Sequence, residues 1–376
     1  MDIEKRIEII KRNTEEILTE QDLRSLLEKK IKLKHYIGFE ISGFIHLGTG
    51  LVCMGKVKDF QEAGIDCSIF LADWHSWIND KLGGNMDAIK KIAAGYFKEG
   101  LKASLKCVGG NPNKVKFVLG SDLYHNNDKY WQTVIEISKH ITLARTMRSI
   151  TIMGRKEGET VDFAKLIYPP MQAADIFTQG INIASAGLDQ RSAHVIAREV
   201  AEKLKVKPLM DGKKKYSPVA VHHHLLLVLQ KPLEWPVPKE RLREIWSSMK
   251  MSKSLPNSAV FIHDGPEEIK SKISKAFCQQ GETDFNPVLD WAKTLIFRDN
   301  KNKFKIERDK KFGGDLIFNS YDELENTFAK GTLHPMDLKN AVAESLIKIL
   351  EPARKHFKKP NVRKMKEELE NLKVTR

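Results

Sequence analysis

The sequence predicts an α/β protein built on an open, doubly wound parallel sheet, with a helical insertion and a mainly α-helical C-terminal part. Three observations predict it. Residues 35–41, 68–72 and 115–119 are short apolar runs of the length of strands, and without strict alternation they suit a sheet covered on both faces. Helical patterns separate them, and strand–helix alternation leads to parallel pairing. From residue 261 onward strand signals are few.

Residues 1–30 read as a helical arm: Ile3, Ile7, Ile10, Ile17, Leu23 and Leu27 suggest an apolar stripe, and Thr19 with Asp22 resembles a capping box. Residues 31–245 hold the sheet. The strand at 35–41 leads into a helix over 48–63, the strand at 68–72 into a helix over 86–105, and a third strand follows at 115–119. Residues 125–165 form a helical insertion, with a helical pattern from about 129 to 153. A helix over 168–179, a short strand at 181–184 and a helix over 190–205 complete the unit. Lys213–Lys215 and the proline-rich stretch 231–238 mark surface loops. Residues 246–260 read as a loop and linker, and 261–376 as a helical domain. There Asp337 opens a helix with Leu338, Val342, Leu346, Ile349 and Leu350 on one face, and an N-cap is one reading of Asp337.

The 376 residues carry 63 basic and 49 acidic side chains, a formal net charge of +14. That balance favours a polyanionic partner, because neutralised phosphates release condensed counterions. Cys53, Cys67, Cys107 and Cys278 stand far apart, without metal-ligand spacing or a disulfide framework, which fits a reducing compartment. No apolar stretch reaches the length of a membrane span, so a soluble, cytoplasmic protein with no membrane partner is expected.

Two segments carry chemistry. Residues 38–49 follow a strand, open a helix and contain Gly38, Gly43, His46, Gly48 and Thr49. Glycines admit a nucleotide close to the backbone, and a helix N-terminus offers free N–H groups to phosphate. His46 and Thr49 can reach the same phosphate. Residues 50–56 match the first seven positions of a phosphate-binding loop, but Val57 stands where the Mg²⁺-binding hydroxyl belongs, and the stretch reads as helix packing. Some 200 residues on, Lys250, Met251, Ser252, Lys253 and Ser254 set two lysines among small hydroxyls, a plausible clamp on phosphates.

Together these segments resemble the HIGH and KMSKS signatures of class I aminoacyl-tRNA synthetases, in order and separation. The resemblance implies a Rossmann-type catalytic domain with ATP as substrate and Mg²⁺ accompanying it. Gly38, Gly43, His46, Gly48, Lys250, Met251, Ser252 and Lys253 would bind ATP; His46, Thr49, Lys250 and Lys253 would be the catalytic groups. Thr49 replaces the final histidine of the first signature; it can donate a hydrogen bond but carries no charge.

Nearly the whole chain is similar to tyrosyl-tRNA synthetases of the archaeal and eukaryotic type. The local match is strongest over 168–175, where Tyr168, Gln172 and Asp175 fall on one helical face. The resemblance implies that Tyr36 and Asp175 hold the tyrosine hydroxyl, and that Tyr168, Gln172 and Gln190 surround its amino group. It implies L-tyrosine, ATP and tRNA(Tyr) as substrates, Arg148 and Arg191 at the acceptor stem, and Phe312, His334 and Asp337 at the anticodon. A homodimer through the insertion is implied as well. For His222, His223 and His224 a loop bordering the ATP pocket is preferred to a zinc site, and no metal-ligand set is assigned. His75 is read as packing or hydrogen-bonding near the substrate ring. Rival readings are a tryptophanyl-tRNA synthetase, a dinucleotide-forming nucleotidyltransferase and a catalytically silent RNA-binding paralogue.

Overall fold

The structure, a computed structural model, describes residues 1–155, 160–232, 234–238, 240, 245, 249, 258–299 and 303–372. Among the described residues six strands form one sheet: β1 (Thr14–Leu18), β2 (Lys34–Phe39), β3 (Asp66–Leu71), β4 (Val115–Leu119), β5 (Ile183–Gly187) and β8 (Val219–His223), in the order β1-β8-β5-β2-β3-β4. A two-residue ribbon, β6 (Met210–Asp211) with β7 (Lys214–Lys215), lies apart and includes two of the lysines expected in a loop. All pairs of the main sheet are parallel except β1 with β8. The doubly wound expectation therefore holds with one antiparallel edge added. Every residue of β5 and β8 is buried, which explains their apolar, non-alternating sequences.

The N-terminal arm is the main correction. Residues 1–30 are helix Ile3–Lys11, strand β1 and helix Glu20–Glu28. Asn13 at φ +48° breaks the first helix, and β-branched Thr14 and Ile17 extend into the sheet instead of continuing a helical stripe. The Thr19 cap is correct: its hydroxyl accepts from the Asp22 N–H at 3.0 Å. Other expected helices are interrupted. The 86–105 run becomes Met86–Ile92, a wide turn and Lys98–Cys107, broken at Gly95. The 129–153 run becomes Asp128–Lys139, Leu143–Ser149 and a 3₁₀ turn Ile150–Met153, because Thr142 caps a new start at the Arg145 N–H. The strand expected at 181–184 is displaced to Ile183–Gly187.

In the C-terminal part a small hairpin, β9 (Phe304–Ile306) with β10 (Leu316–Phe318), interrupts the helices. Helix Pro335–Ile349 is capped by His334, whose Nδ1 accepts from the Met336 N–H at 3.1 Å; Asp337 sits in the first turn and is not the N-cap. Trp291, fully buried, ties this part to the segment after β8 by donating Nε1–H to the Leu227 carbonyl at 2.9 Å.

Candidate active site

Strand order reverses between β2 and β5: the chain runs β2-β3-β4 to one side and β5-β8 to the other. Ligands of open parallel sheets bind outside the carboxyl ends of such strands. Here that point opens into a cavity of about 720 Å³. Among its walls are Tyr36 and Gly38 from β2, His46, Gly48 and Thr49 after it, Tyr168, Gln172 and Asp175 from helix Phe163–Thr178, and Gln190 beyond β5. Nine candidates separated by up to 154 positions thus share one cavity (190 − 36 = 154).

Near His46, Gly43 adopts φ +136°, which a side chain rarely tolerates, and turns the chain after β2. His46 and Thr49 stand together, with the threonine hydroxyl 3.3 Å from His46 Nε2. At the intervening Gly48 a Cβ would lie 3.0 Å from the His46 ring, a tight contact that would push the ring aside. The following helix starts as a wide π turn, Gly48–Val52, and continues as Cys53–Glu62. Lys56 lies within it, 2 % exposed, donating to the carbonyls of Ile10 and Arg12, so the phosphate-loop match is a packing feature.

Lys250, Met251, Ser252 and Lys253 lie outside the described residues. Their flanks are described. Met249 accepts from the Val228 N–H at 2.8 Å, and Ser258 accepts from the Leu229 N–H at 3.0 Å. Leu47 N–H donates to Val260, and Ile262 N–H to Ile45, each at 3.0 Å, forming a bridge of His46 with Phe261. The flank after the second signature is therefore paired with the first at 45–47, and Met249 before it is tied to Val228.

The opposite end is polar yet deeply buried. Tyr124 donates to Asp175 Oδ1 at 2.9 Å, while Oδ2 has no hydrogen-bond partner. His75 Nε2, also without one, stands 3.7 Å from Oδ2. Burial holds the Asp175 carboxyl well above the usual carboxylate range, although the Tyr124 and Tyr130 hydroxyls oppose this. Burial pushes His75 down to about 3, so its imidazole is neutral. The Tyr36 phenol is raised by burial and then by Asp175. Tyr36 and Asp175 do not clasp each other; the carboxyl oxygen in use belongs to Tyr124. A Cβ on Gly38 would meet the Tyr36 hydroxyl at 2.9 Å, so glycine there makes room for the phenol.

Between the two ends, Tyr168 donates to Glu40 at 2.9 Å, and Gln172 Nε2 lies 3.3 Å from Gln190 Oε1. Gln172 Oε1 is buried without a partner. Buried polar atoms are normally satisfied. Four orphans belong to residues that line this cavity, Asp175 Oδ2, His75 Nε2, Gln172 Oε1 and His223 Nδ1, and the first three describe the outline of a polar ligand.

Sequence reasoning missed Glu40 and Tyr124 here; His75, read as packing or hydrogen-bonding near the substrate ring, lines the cavity. No local pattern marks Glu40 or Tyr124; only the fold aims them inward. The histidine run belongs to the sheet more than to a loop: His222 and His223 end β8, and His224 follows. His223 and His224 do border the cavity, with His223 Nε2 3.3 Å from Cys53 Sγ. His224 is gripped by Glu15 at 3.0 Å and Asp290 at 2.6 Å; burial opposes its charge but the two carboxylates raise it to about 10.

The expected RNA-facing residues lie away from the cavity. Arg148 is exposed, and Arg191 pairs with Glu16 at 2.8 Å. Phe312 is 63 % exposed with Lys311 over its ring, and His334 is exposed.

Residues 28–351 match the family described as tRNA synthetases class I (W and Y). A tyrosine–tRNA ligase of Thermococcus sibiricus is 62 % identical, covering 96 % of each chain, and one of Pyrococcus abyssi is 60 % identical over the same shares. The crystal structure of the Pyrococcus horikoshii tyrosyl-tRNA synthetase, complexed with L-tyrosine, is 57 % identical and superposes with a TM-score of 0.95 over 98 % of this chain and 100 % of that one. A tryptophanyl-tRNA synthetase from Aeropyrum pernix, 17 % identical with a TM-score of 0.62, shares the fold. Sequence, architecture and cavity agree, and the chain belongs to the class I tyrosyl-tRNA synthetases.

Proposed function

We propose that the cavity at the strand-order reversal holds L-tyrosine and ATP side by side, and that the tyrosine–tRNA ligase reaction takes place between its two ends. The observation that carries this reading is the unpaired Asp175 Oδ2, fully buried and 3.7 Å from a neutral His75. A phenol hydroxyl donated to it supplies the missing hydrogen bond, with Tyr36 beside it. The α-ammonium meets Gln172 Oε1, with Tyr168 and Gln190 around it. The carboxylate then points towards His46 and Thr49, where the ATP α-phosphate lies.

Attack of the tyrosine carboxylate on the α-phosphorus needs no general base, because the nucleophile is already ionised. Catalysis is positioning plus stabilisation of charge on the phosphates. His46 and Thr49 serve the α-phosphate; Lys250 and Lys253, with Met251 and Ser252 in the same loop, close on the β- and γ-phosphates. Gly38, Gly43 and Gly48 let the backbone approach the nucleotide. Mg²⁺ bound to ATP supplies countercharge. Pyrophosphate leaves, and a ribose hydroxyl of the terminal adenosine of tRNA(Tyr) then attacks the carbonyl of the tyrosyl-adenylate, forming the ester and releasing AMP and the hydroxyl proton.

On the RNA side, Arg148 and Arg191 meet the acceptor stem, and Phe312 stacks on an unpaired anticodon base with His334 and Asp337 near base edges. Residues 1–30 serve as an arm, 31–245 as the catalytic domain, 246–260 as the clamp and linker, and 261–376 as the anticodon-binding domain. The exposed Ile135, Leu143 and Phe163 of the 125–165 insertion favour a homodimer there. The reducing-type cysteine usage suits the cytoplasm. Pyrophosphate exchange into ATP, run with each amino acid, tests the assignment: exchange with tyrosine alone is expected, and tryptophan-dependent exchange refutes it.

A further inference from the structure

His194 lies on helix Arg191–Val200, one turn after Gln190, and lines the cavity. None of the roles above uses it. It ends a chain of side chains that starts at the protein surface. Arg191 Nε donates to both carboxylate oxygens of Glu16, at 3.0 and 2.8 Å. Glu16 Oε2 is 2.9 Å from His222 Nδ1, and His222 Nε2 is 3.0 Å from His194 Nδ1. The two imidazoles stack with centroids 5.1 Å apart at 22°.

The direction of the hydrogen bonds follows from the surface end. Burial would raise the Glu16 carboxyl, but Arg191 and His222 hold it below its usual range, so it carries no proton. His222 Nδ1 must therefore be the N–H donor. Burial lowers His222 and pushes His194 down to about 3, so both rings are neutral. A neutral ring protonated at Nδ1 has a bare Nε2, so His222 Nε2 accepts and His194 Nδ1 donates. By the same rule His194 Nε2 carries a lone pair and no proton. A carboxylate thus sets the tautomer of a histidine two residues away in the chain of contacts.

We propose that His194 Nε2 accepts a hydrogen bond from a proton-bearing group of the bound substrates, and that His222 and Glu16 are positioning residues that hold it in this tautomer. Two groups have the required chemistry. One is the α-ammonium of tyrosine, on the Gln190 side. The other is a ribose hydroxyl of the nucleotide, on the side where Gly187 and Asp189 line the cavity. The assignment rests on the site reading above, and the test separates the two.

Pyrophosphate exchange is measured with tyrosine and ATP varied separately, using H194F, which keeps ring shape without an acceptor, H194Q, which places a carbonyl near the Nε2 position, H222F, and H194F/H222F. H194F is expected to lower kcat/KM for one substrate roughly tenfold, the size of one hydrogen bond. Loss in the tyrosine arm identifies the ammonium, and loss in the ATP arm the ribose. H194Q recovers most of the loss, H222F shows part of it in the same arm, and the double variant is no worse than H194F. The proposal is overturned if H194F stays within twofold in both arms, if H194Q is as impaired as H194F, or if the losses of the two single variants multiply. Glu16→Ala changes no core side chain and tests the chain even if H194F does not fold. It lowers kcat/KM for one of the two substrates, and an unchanged value in both arms overturns the chain. Failure of the site reading itself would show differently, as loss of tyrosine dependence in the unaltered protein.

Discussion

Replacing Asp175 by alanine tests the substrate assignment where the structure is most committed. The carboxyl is fully buried; Oδ1 accepts from Tyr124, and Oδ2 has no partner. A phenol hydroxyl bound to Oδ2 makes a hydrogen bond worth about 0.5–1.5 kcal/mol, the range for an uncharged pair, because burial holds this carboxyl well above its usual range. At about 1.4 kcal/mol per decade, its loss lowers kcat/KM for tyrosine by roughly 2- to 12-fold. Phenylalanine cannot make the bond and leaves Oδ2 unpaired in a dry site, so it pays a penalty that alanine removes. Its kcat/KM in Asp175→Ala is expected to hold steady or rise. The tyrosine-to-phenylalanine preference therefore falls by at least the tyrosine factor. Amino-acid-dependent pyrophosphate exchange measures both on the same preparation, with thermal unfolding as a check on the fold. An equal fall for the two amino acids would mean that Asp175 supports the cavity without reading the hydroxyl, and the substrate pose would be wrong.

Other expectations follow from separate parts of the molecule. In Gly50→Ala the new Cβ would sit 2.5 Å from Ile262 Cγ2, beside the backbone pairing of residues 45–47 with 260–262. Overpacking of this kind costs about 1–3 kcal/mol; denaturant melts should show that loss, and adding Ile262→Ala should relieve part of it, whereas strictly additive losses refute the clash. His35 is buried against Ser185 at 2.7 Å, and burial first, then Lys56, pushes it down to about 3 from 6.5. The unfolded chain takes up that proton below pH 6.5 and the folded one does not until about pH 3, so stability present above 6.5 is lost across that window as pH falls. Between pH 6.5 and 5 the loss is at most about 2 kcal/mol, and His35→Gln should flatten it by that amount in paired denaturant melts; an unchanged slope counts against the buried neutral ring. Lys253→Ala should slow adenylate formation in rapid-quench measurements far more than it weakens tyrosine binding at equilibrium, and equal losses would remove the clamp role.

Much of the site was legible in the sequence because its chemistry lies in short segments. Residues 38–49 and 250–254 carry both signatures, and Tyr168, Gln172 and Asp175 follow helical spacing. One helix does bring those three to the cavity, although it begins at Phe163 and carries Pro169 and Pro170 inside it. The rest had no local signature. Tyr124 meets Asp175 across 51 positions and Glu40 meets Tyr168 across 128, and nothing around any of the four signals that pairing. The arm was misread for a physical reason: Ile17 and Leu23 keep helical spacing with Ile3, Ile7 and Ile10, but the turn at Asn13 and the open edge of β8 drew Thr14–Leu18 into the sheet.

By itself the sequence determined the fold class, the glycine-rich turn after β2, the helical face shared by Tyr168, Gln172 and Asp175, and the family. These depend on periodicity and on residues adjacent in the chain, which act over a few ångströms of backbone. Only the tertiary structure decided which polar atoms go unpaired, which histidines stay neutral and how Glu16 reaches His194. Desolvation and hydrogen-bond direction are properties of what surrounds an atom, and most of that surrounding comes from distant parts of the chain.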